Sequence, residues 1–320
     1  MARRAKGRPV NGIFLLDKPG GISSNRALQI VKRLYGAAKA GHTGALDPLA
    51  TGMLPLCFGE ATKFSQFLLN ADKRYITTAK LGQRTDTSDA DGQVVEERPL
   101  PENLTLEQID DLLQSQFTGL ITQVPSMFSA LKHNGQPLYK LARQGIEVEV
   151  KSRQITVYSI DVLDFRGDEV DLDIRCSKGT YIRSIVQDMG EMLGCGAHVQ
   201  MLRRLDSGPY KADKMMPLAD LEQLVADMGS DAEPESIQKR LDELLLPSWS
   251  PVADTPEVQL TESQTRTLCF GQTVVLDFPS GENPAEPLIR IIDADSGRFL
   301  GIGEIDEKGH ILPRRLMSTQ

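Results

Sequence analysis

Asp47 closes the run Gly41-His42-Thr43-Gly44-Ala45-Leu46-Asp47-Pro48, the sharpest chemical feature of the chain. Two glycines in that run let the backbone approach a ligand closely. Pro48 stiffens the chain just after the carboxylate. His42 offers an aromatic edge that can stack on, or hydrogen-bond to, a nucleotide. In such a setting Asp47 is suited to act as a nucleophile or a base. The same residues also suit a plain turn in which Asp47 accepts backbone N–H groups, and the run by itself leaves both readings open. Other catalytic patterns are missing: no G-x-x-x-x-G-K-[ST], no H-E-x-x-H and no G-x-S-x-G occurs. His42, His133, His198 and His310 do not pair at ligand spacing, and Cys57, Cys176, Cys195 and Cys269 form no C-x-x-C. A zinc site is therefore not expected, and the four cysteines read as reduced thiols in or near the core.

Periodicity gives the elements that must position these residues. Gly12 to Asp17 reads as a buried strand ending at Lys18-Pro19-Gly20-Gly21. Ser23 or Ser24 can cap a helix whose Ala27, Ile30, Val31 and Leu34 share one face. Glu60 to Leu69 has helical spacing, and Arg74 to Leu81 reads as a strand. Arg84 to Gly92 is a polar loop. Thr105 to Phe117 is a helix opened by a capping box of Thr105 and Gln108. Pro125 to Gly145 is a loop and then a helix. Val170, Leu172, Ile174 and Cys176 alternate with Asp171, Asp173 and Arg175, a strand with one wet face. Ser177 to Tyr181 leads from it into a helix with Ile185, Val186, Met189 and Leu193 on one side. Pro247-Ser248-Trp249-Ser250-Pro251 reads as a linker into short β-like runs at Val274 to Leu276, Leu288 to Ile292 and Phe299 to Ile305.

The 320 residues suit one large domain and a small one, and no apolar run is long enough to span a membrane as a helix. The N-terminus is basic without an apolar stretch behind it, so the cytosol is the expected compartment. Net charge is −8, which alone speaks against a polyanionic partner. Its distribution speaks otherwise: residues 1–40 carry nine Lys or Arg against the single acid Asp17, and residues 213–262 carry twelve acids against three bases. A basic face can thus sit on an acidic chain.

Gly41 to Thr51 (GHTGALDPLAT) resembles the catalytic-aspartate motif of the TruB-type tRNA pseudouridine synthases. Asn11 to Gly20 (NGIFLLDKPG) is similar to that family's opening strand. Lys73-Arg74-Tyr75 with Leu81-Gly82 and Thr85-Asp86-Thr87 is similar to its second motif. Ser177 to Ser184 (SKGTYIRS) and Gly194 to Leu205 (GCGAHVQMLRRL) resemble the third. Four ordered blocks span residues 11–205. Phe299 to Leu316 is more weakly similar to a PUA domain, a small RNA-binding β-barrel. One departure is Pro125-Ser126-Met127-Phe128-Ser129-Ala130, where the family often has Pro-Pro-x-Tyr-Ser-Ala; Phe128 lacks the hydroxyl.

The resemblance implies an α+β fold: a pseudouridine-synthase catalytic domain with a mixed, mainly antiparallel sheet flanked by helices, then a small PUA-like β-barrel. The expected divisions are a basic tail at 1–10, the catalytic domain at 11–249 and the RNA-binding domain at 250–316. It implies isomerisation of uridine to pseudouridine at position 55 of the tRNA T-loop, by base flipping, with no cofactor, metal or guide RNA. Asp47 becomes the reacting carboxylate and Arg183 its basic partner. Tyr75 stacks on the target base, Tyr181 is a second contact, His42 helps extrude the base, and Leu202 lines the base pocket. Lys18, Arg26, Lys32, Arg33, Arg203 and Arg204 are expected on RNA phosphates near the cleft, and Arg314 and Arg315 on the acceptor side. The implied partner is the tRNA T-arm, with no membrane and no obligate protein partner; a monomer is the default. The rival readings are a tRNA-folding chaperone and a synthase for another structured RNA.

Overall fold

A computed structural model describes residues 7–129, 131–146, 148–229, 233–276, 288–306 and 308–318. Arg3, Arg4 and Lys6 of the basic tail and Ala130 lie outside them. The centre is a nine-stranded sheet. Its order runs Met216–Pro217, Gly12–Lys18, Thr51–Phe58, Ala197–Ser207, Lys73–Leu81, Glu169–Cys176, Arg153–Arg166, Gly119–Gln123, with Ala40–His42 added on Thr51–Phe58. Only the first pair and the pair joining Thr51–Phe58 to Ala197–Ser207 are parallel. The expected mixed, mainly antiparallel sheet is what the chain forms.

The opening strand explains why its sequence is apolar without alternation. Phe14 and Leu16 join the large core under the helices Ser24–Leu34, Leu106–Phe117 and Ile182–Met192, while Ile13 and Leu15 join a second cluster on the other face with Met53, Cys57 and Leu68. A strand covered on both faces reads as a continuous hydrophobic run. Glu169–Cys176 keeps the predicted alternation, with Val170, Leu172, Ile174 and Cys176 buried. Its supposed wet face is crossed by ion pairs instead, Asp173 to Arg74 at 2.5 Å and Asp171 to Arg166 at 2.6 Å. Thr105 and Gln108 form the expected capping box. The stretch from Glu60 is less regular than its spacing suggested: a 3-10 turn over Gly59–Phe64 precedes a short helix, Ser65–Asn70.

The C-terminal region is a curled five-stranded sheet, a half-barrel, ordered Glu257–Leu260, Leu288–Asp293, Phe299–Ile305, His310–Leu316, Val274–Val275. A helix, Glu262–Cys269, sits among these strands, and the sequence reading had no helix there. The segment read as a linker is packed. Val252 lies in a cluster with Phe64, Ile292, Phe299 and Ile302; Phe64 meets Phe299 at 5.3 Å between ring centroids. Arg290 lies 4.8 Å over the Trp249 ring. Cys57, Cys176 and Cys195 are buried as expected, but Cys269, at the end of its exposed helix, is open to solvent. No helix among the described residues is long and apolar enough to cross a membrane.

Candidate active site

Asp47 sits at the wall of a cleft of about 400 Å³, a size suited to a small ligand or a single nucleoside. Tyr75, Tyr181, Arg183 and Leu202 line the same cleft. Arg183 Nε lies 2.9 Å from Asp47 Oδ2. Nε counts as buried without a hydrogen-bond acceptor, so the contact is a charge pair set off the N–H axis. The guanidinium is otherwise fixed: Nη1 donates to Thr87 O at 2.8 Å and Nη2 to Phe128 O at 2.9 Å. With only 4% of its side chain exposed, Arg183 cannot swing away, whereas 37% of Asp47's side chain remains open to the cleft. One carboxylate thus faces an incoming ligand while its counter-charge is held behind it.

The carboxylate's own backbone is strapped on both sides. Thr43 N donates to Pro55 O at 3.1 Å. Arg204 reaches from the strand Ala197–Ser207 and donates from Nη2 to Gly44 O at 3.0 Å and from Nε to Met53 O at 2.7 Å. Ser24 Oγ accepts from Leu46 N at 2.7 Å and donates to Leu46 O at 3.0 Å. Pro48 O accepts from Gly21 N at 2.9 Å and from Lys18 Nζ at 3.3 Å. Gly52 permits this arrangement: its φ is +99° and a Cβ there would stand 2.2 Å from Arg204 O.

These contacts correct two expectations. Lys18 and Arg204 are not available to RNA phosphates. Lys18 is fully buried and its ammonium is taken by the carbonyls of Pro19, Ile22 and Pro48. Arg204 is 1% exposed and committed to the carbonyls of Gly44, in the loop that carries Asp47, and Met53. Arg203 is half-exposed but bound bidentately to Asp17 at 2.9 and 2.6 Å. Arg26 and Arg33 are exposed and Lys32 half-buried on the helix Ser24–Leu34. Arg314 and Arg315 are exposed, with Arg314 paired to Glu304.

His42 is not among the cleft's lining residues. It ends the short strand Ala40–His42, half-buried, with Nδ1 buried and unpartnered among the described residues. Burial, seconded by Arg204, lowers its pKa, so the ring is neutral near pH 7. Tyr75 is 9% exposed on the strand Lys73–Leu81; its hydroxyl is pushed up by burial, with Arg204 opposing. Tyr181 precedes the helix Ile182–Met192 and is held by Gln123, whose side chain donates to Tyr181 O at 2.9 Å and accepts from Tyr181 N at 2.8 Å.

Three site residues escaped the sequence reading. Asp89, in the segment read as a polar loop, is 4% exposed and comes within 3.7 Å of Arg183. Nothing in Arg84 to Gly92 signals burial, because the segment is stitched to Val199 by backbone bonds, Val199 N to Ser88 O and Ala90 N to Val199 O. Ser24 was one of two candidate caps; Ser23 takes that role and frees Ser24 to face inward. Gln123 ends an edge strand and carries no local signal.

Electrostatics at Asp47 are a contest. Loss of water in the cleft raises its pKa, Arg183 pulls it down, and Asp89 and Asp91 push it up again; the net direction is upward. Burial lowers Lys18 to about 8, with Asp47 opposing that fall. Among the described residues no cluster of three or more His, Cys, Asp or Glu is arranged to hold a metal ion.

Family models locate this architecture among known proteins. Residues 32–182 match the TruB family pseudouridylate synthase N-terminal domain. Residues 183–253 match the tRNA pseudouridylate synthase B C-terminal domain, and 256–317 the pseudouridine synthase II TruB C-terminal. The chain belongs to the TruB family of pseudouridine synthases. It is 55% identical over 317 residues to the tRNA pseudouridine synthase B of Vibrio atlanticus, covering 99% of this chain and 97% of that one. It is 54% identical over 315 residues to that of Tolumonas auensis, covering 98% and 94%. Among solved structures, a Cbf5-Nop10-Gar1 complex contains a chain at TM-score 0.69 and 26% identity, covering 96% of this chain and 84% of that one. An H/ACA RNP bound to a substrate RNA contains one at TM-score 0.70 and 22% identity, covering 100% and 92%, a likeness of fold.

Proposed function

We propose that this TruB-family chain converts uridine to pseudouridine in tRNA, at position 55 of the T-loop, with Asp47 as the reacting group. The observation that carries the reading is the Asp47–Arg183 pair at 2.9 Å in a nucleoside-sized cleft lined by Tyr75, Tyr181 and Leu202. The tRNA substrate is supported by full-length relatives that bear the name tRNA pseudouridine synthase B.

The reaction breaks the N1–C1′ bond, turns the uracil and joins C5 to C1′. The C5 proton is released and N1 is protonated, so substrate and product are isomers. Three routes begin from an ionised carboxylate: attack on C1′, removal of the C2′ proton, or addition to C6. Each needs Asp47 charged and about 3.5 Å or less from its target. Arg183 supplies the charge that favours the carboxylate form. The straps on Gly44, Leu46 and Pro48 set its position before substrate arrives, so little ordering remains for the reaction step.

A cleft of this size takes one nucleoside and not a base stack, so the target uridine leaves the T-loop stack and lies against Tyr75, with Tyr181 and Leu202 beside it. His42 acts from outside the cleft, on the vacated stack. Arg26, Lys32 and Arg33 form the basic face that tracks the T-arm backbone, and Arg314 and Arg315 reach toward the acceptor side. The enzyme works as a monomer without a protein partner.

Mapping modified uridines in RNA from cells lacking this protein tests the substrate. Pseudouridine disappears at tRNA position 55 and returns when the gene is restored. Loss at ribosomal sites with position 55 intact contradicts the reading.

A further inference from the structure

Four cationic side chains line the cleft: Lys73, Arg153, Arg183 and Arg204. Three are committed to protein acceptors. Lys73 Nζ caps the end of the helix Ser65–Asn70, donating to Leu68 O at 3.1 Å, Leu69 O at 3.0 Å and Ala71 O. Arg183 serves Asp47 and two carbonyls, and Arg204 serves Gly44 and Met53. Arg153 is the exception. It heads the strand Arg153–Arg166, opposite Gln123, and among the described residues no carboxylate meets its Nε or Nη2. Its Nε and Nη2 are buried and find no acceptor among the described residues.

The guanidinium is held against an aromatic ring instead. Cζ lies 4.6 Å from the centroid of the Tyr181 ring, a cation–π contact. Gly179 also packs against it: a Cβ there would stand 3.3 Å from Nη1. Gly179 has φ +81°, so the space beside Nη1 is kept by a residue whose backbone also favours glycine. Tyr181 is in turn fixed by both amide atoms of Gln123.

Nε and Nη2 form the edge of an arginine that meets two oxygens of one anion side by side. Leaving such donors buried without acceptors is costly, more so for a charged group. A site that tolerates this cost is poised for an acceptor that arrives with the ligand. Nε and Nη2 are themselves buried, so meeting an anion in the cleft requires the guanidinium to rotate beside Tyr181.

We propose that Arg153 is a substrate-binding residue of this enzyme: its Nε/Nη2 edge clamps a phosphate of the RNA backbone at the nucleotide that enters the cleft. This rests on the reading of the cleft as the uridine site. It adds the cation that holds the backbone of that nucleotide while Tyr75 and Asp47 engage base and ribose. Arg183 already serves Asp47, Thr87 and Phe128, and the Nε and Nη2 of Arg204 are taken by Met53 and Gly44.

The test uses full-length protein carrying Asp47→Asn, so that binding is measured without turnover. The affinity for tRNA is titrated over a series of KCl concentrations with and without Arg153→Met and Arg153→Lys. The proposal expects Arg153→Met to weaken binding at low salt by about ten-fold and to reduce the salt slope by roughly the 0.7–0.9 of a single phosphate contact. Arg153→Lys keeps the slope and recovers part of the affinity. With Asp47 intact, Arg153→Met raises KM more than it lowers kcat. An unchanged salt slope in a folded Arg153→Met protein overturns the proposal, whatever kcat does, because a residue that only props Tyr181 releases no counterions. Should Arg153→Met fail to fold, wild-type protein is assayed on T-arm RNAs with single neutral methylphosphonates around the target. One of those positions must then weaken binding by about ten-fold, and no effect at any of them also overturns it. Failure of the parent reading looks different: wild-type protein then forms no pseudouridine in tRNA at any salt concentration.

Discussion

Arg183→Met tests whether the ion pair sets the charge on Asp47. In the proposed reaction only the ionised carboxylate reacts, so activity should fall as pH drops through the Asp47 pKa. That pKa is already raised by the cleft, and Arg183 is the main group opposing the rise. With charge centres about 4 Å apart and an effective dielectric near 20, the bare attraction is about 4 kcal/mol. Asp47 keeps 37% of its side chain exposed, so solvent screens the pair and about one-third of that figure survives. At 1.36 kcal/mol per unit, removing Arg183 moves the acid limb of kcat upward by about one pH unit. Arg183→Lys keeps the charge and leaves the limb near its wild-type position, though kcat falls because the two carbonyl contacts are not both remade. The methionine variant also takes the nearby cation from the buried Asp89 carboxylate, which keeps its bonds from Thr87 Oγ1 and Asp91 N, at a cost of about 1–3 kcal/mol in stability. The assay is single-turnover release of the C5 proton at saturating tRNA across pH, at a temperature where circular dichroism shows the fold intact. An acid limb that stays put, or moves down, in Arg183→Met refutes the reasoning.

The loop straps lead to further outcomes. Ser24→Ala removes both bonds to Leu46, and should lower stability by about 1–2 kcal/mol and kcat by more than it changes KM; equal kcat contradicts a positioning role. Arg204→Met unties Gly44 and Met53 and should cost about 3 kcal/mol or more, while the salt slope of tRNA binding stays unchanged because this cation meets no phosphate. Arg26→Gln with Arg33→Gln should do the opposite, lowering the slope by about two contacts with melting temperature intact. Gly52→Ala places a methyl group 2.2 Å from Arg204 O at φ +99°, so thermal unfolding should show a loss well beyond the usual Gly→Ala range.

Much of the frame was legible because local rules and tertiary needs agreed. The run Gly12 to Asp17 is apolar throughout because both faces are covered, and Thr105 with Gln108 announces a helix start that the chain uses. Asp47, Tyr75, Tyr181, Arg183 and Leu202 were reached by resemblance across four blocks, and the fold brings all five to one cleft. Charge was read less well. Lys18 and Arg204 look like surface cations in sequence, yet their donors close carbonyls of a loop that has no regular partner of its own. Their burial is set by strands far apart in the chain, and no local pattern reports it. Asp89 failed for the same reason in reverse: a polar loop became interior when its backbone paired with Val199. The linker at Pro247 to Pro251 was read from composition, and the packing of Trp249 and Val252 that closes it depends on partners at Phe64 and Arg290.

The central claim is that Asp47 reacts. Asp47→Asn keeps the shape and the contact distance to Arg183 while removing the charge. Single-turnover conversion of tRNA should fall by about 10⁴-fold or more, the scale of losing a reacting group, with tRNA affinity within a few-fold of wild type. Full turnover by the asparagine variant contradicts the account.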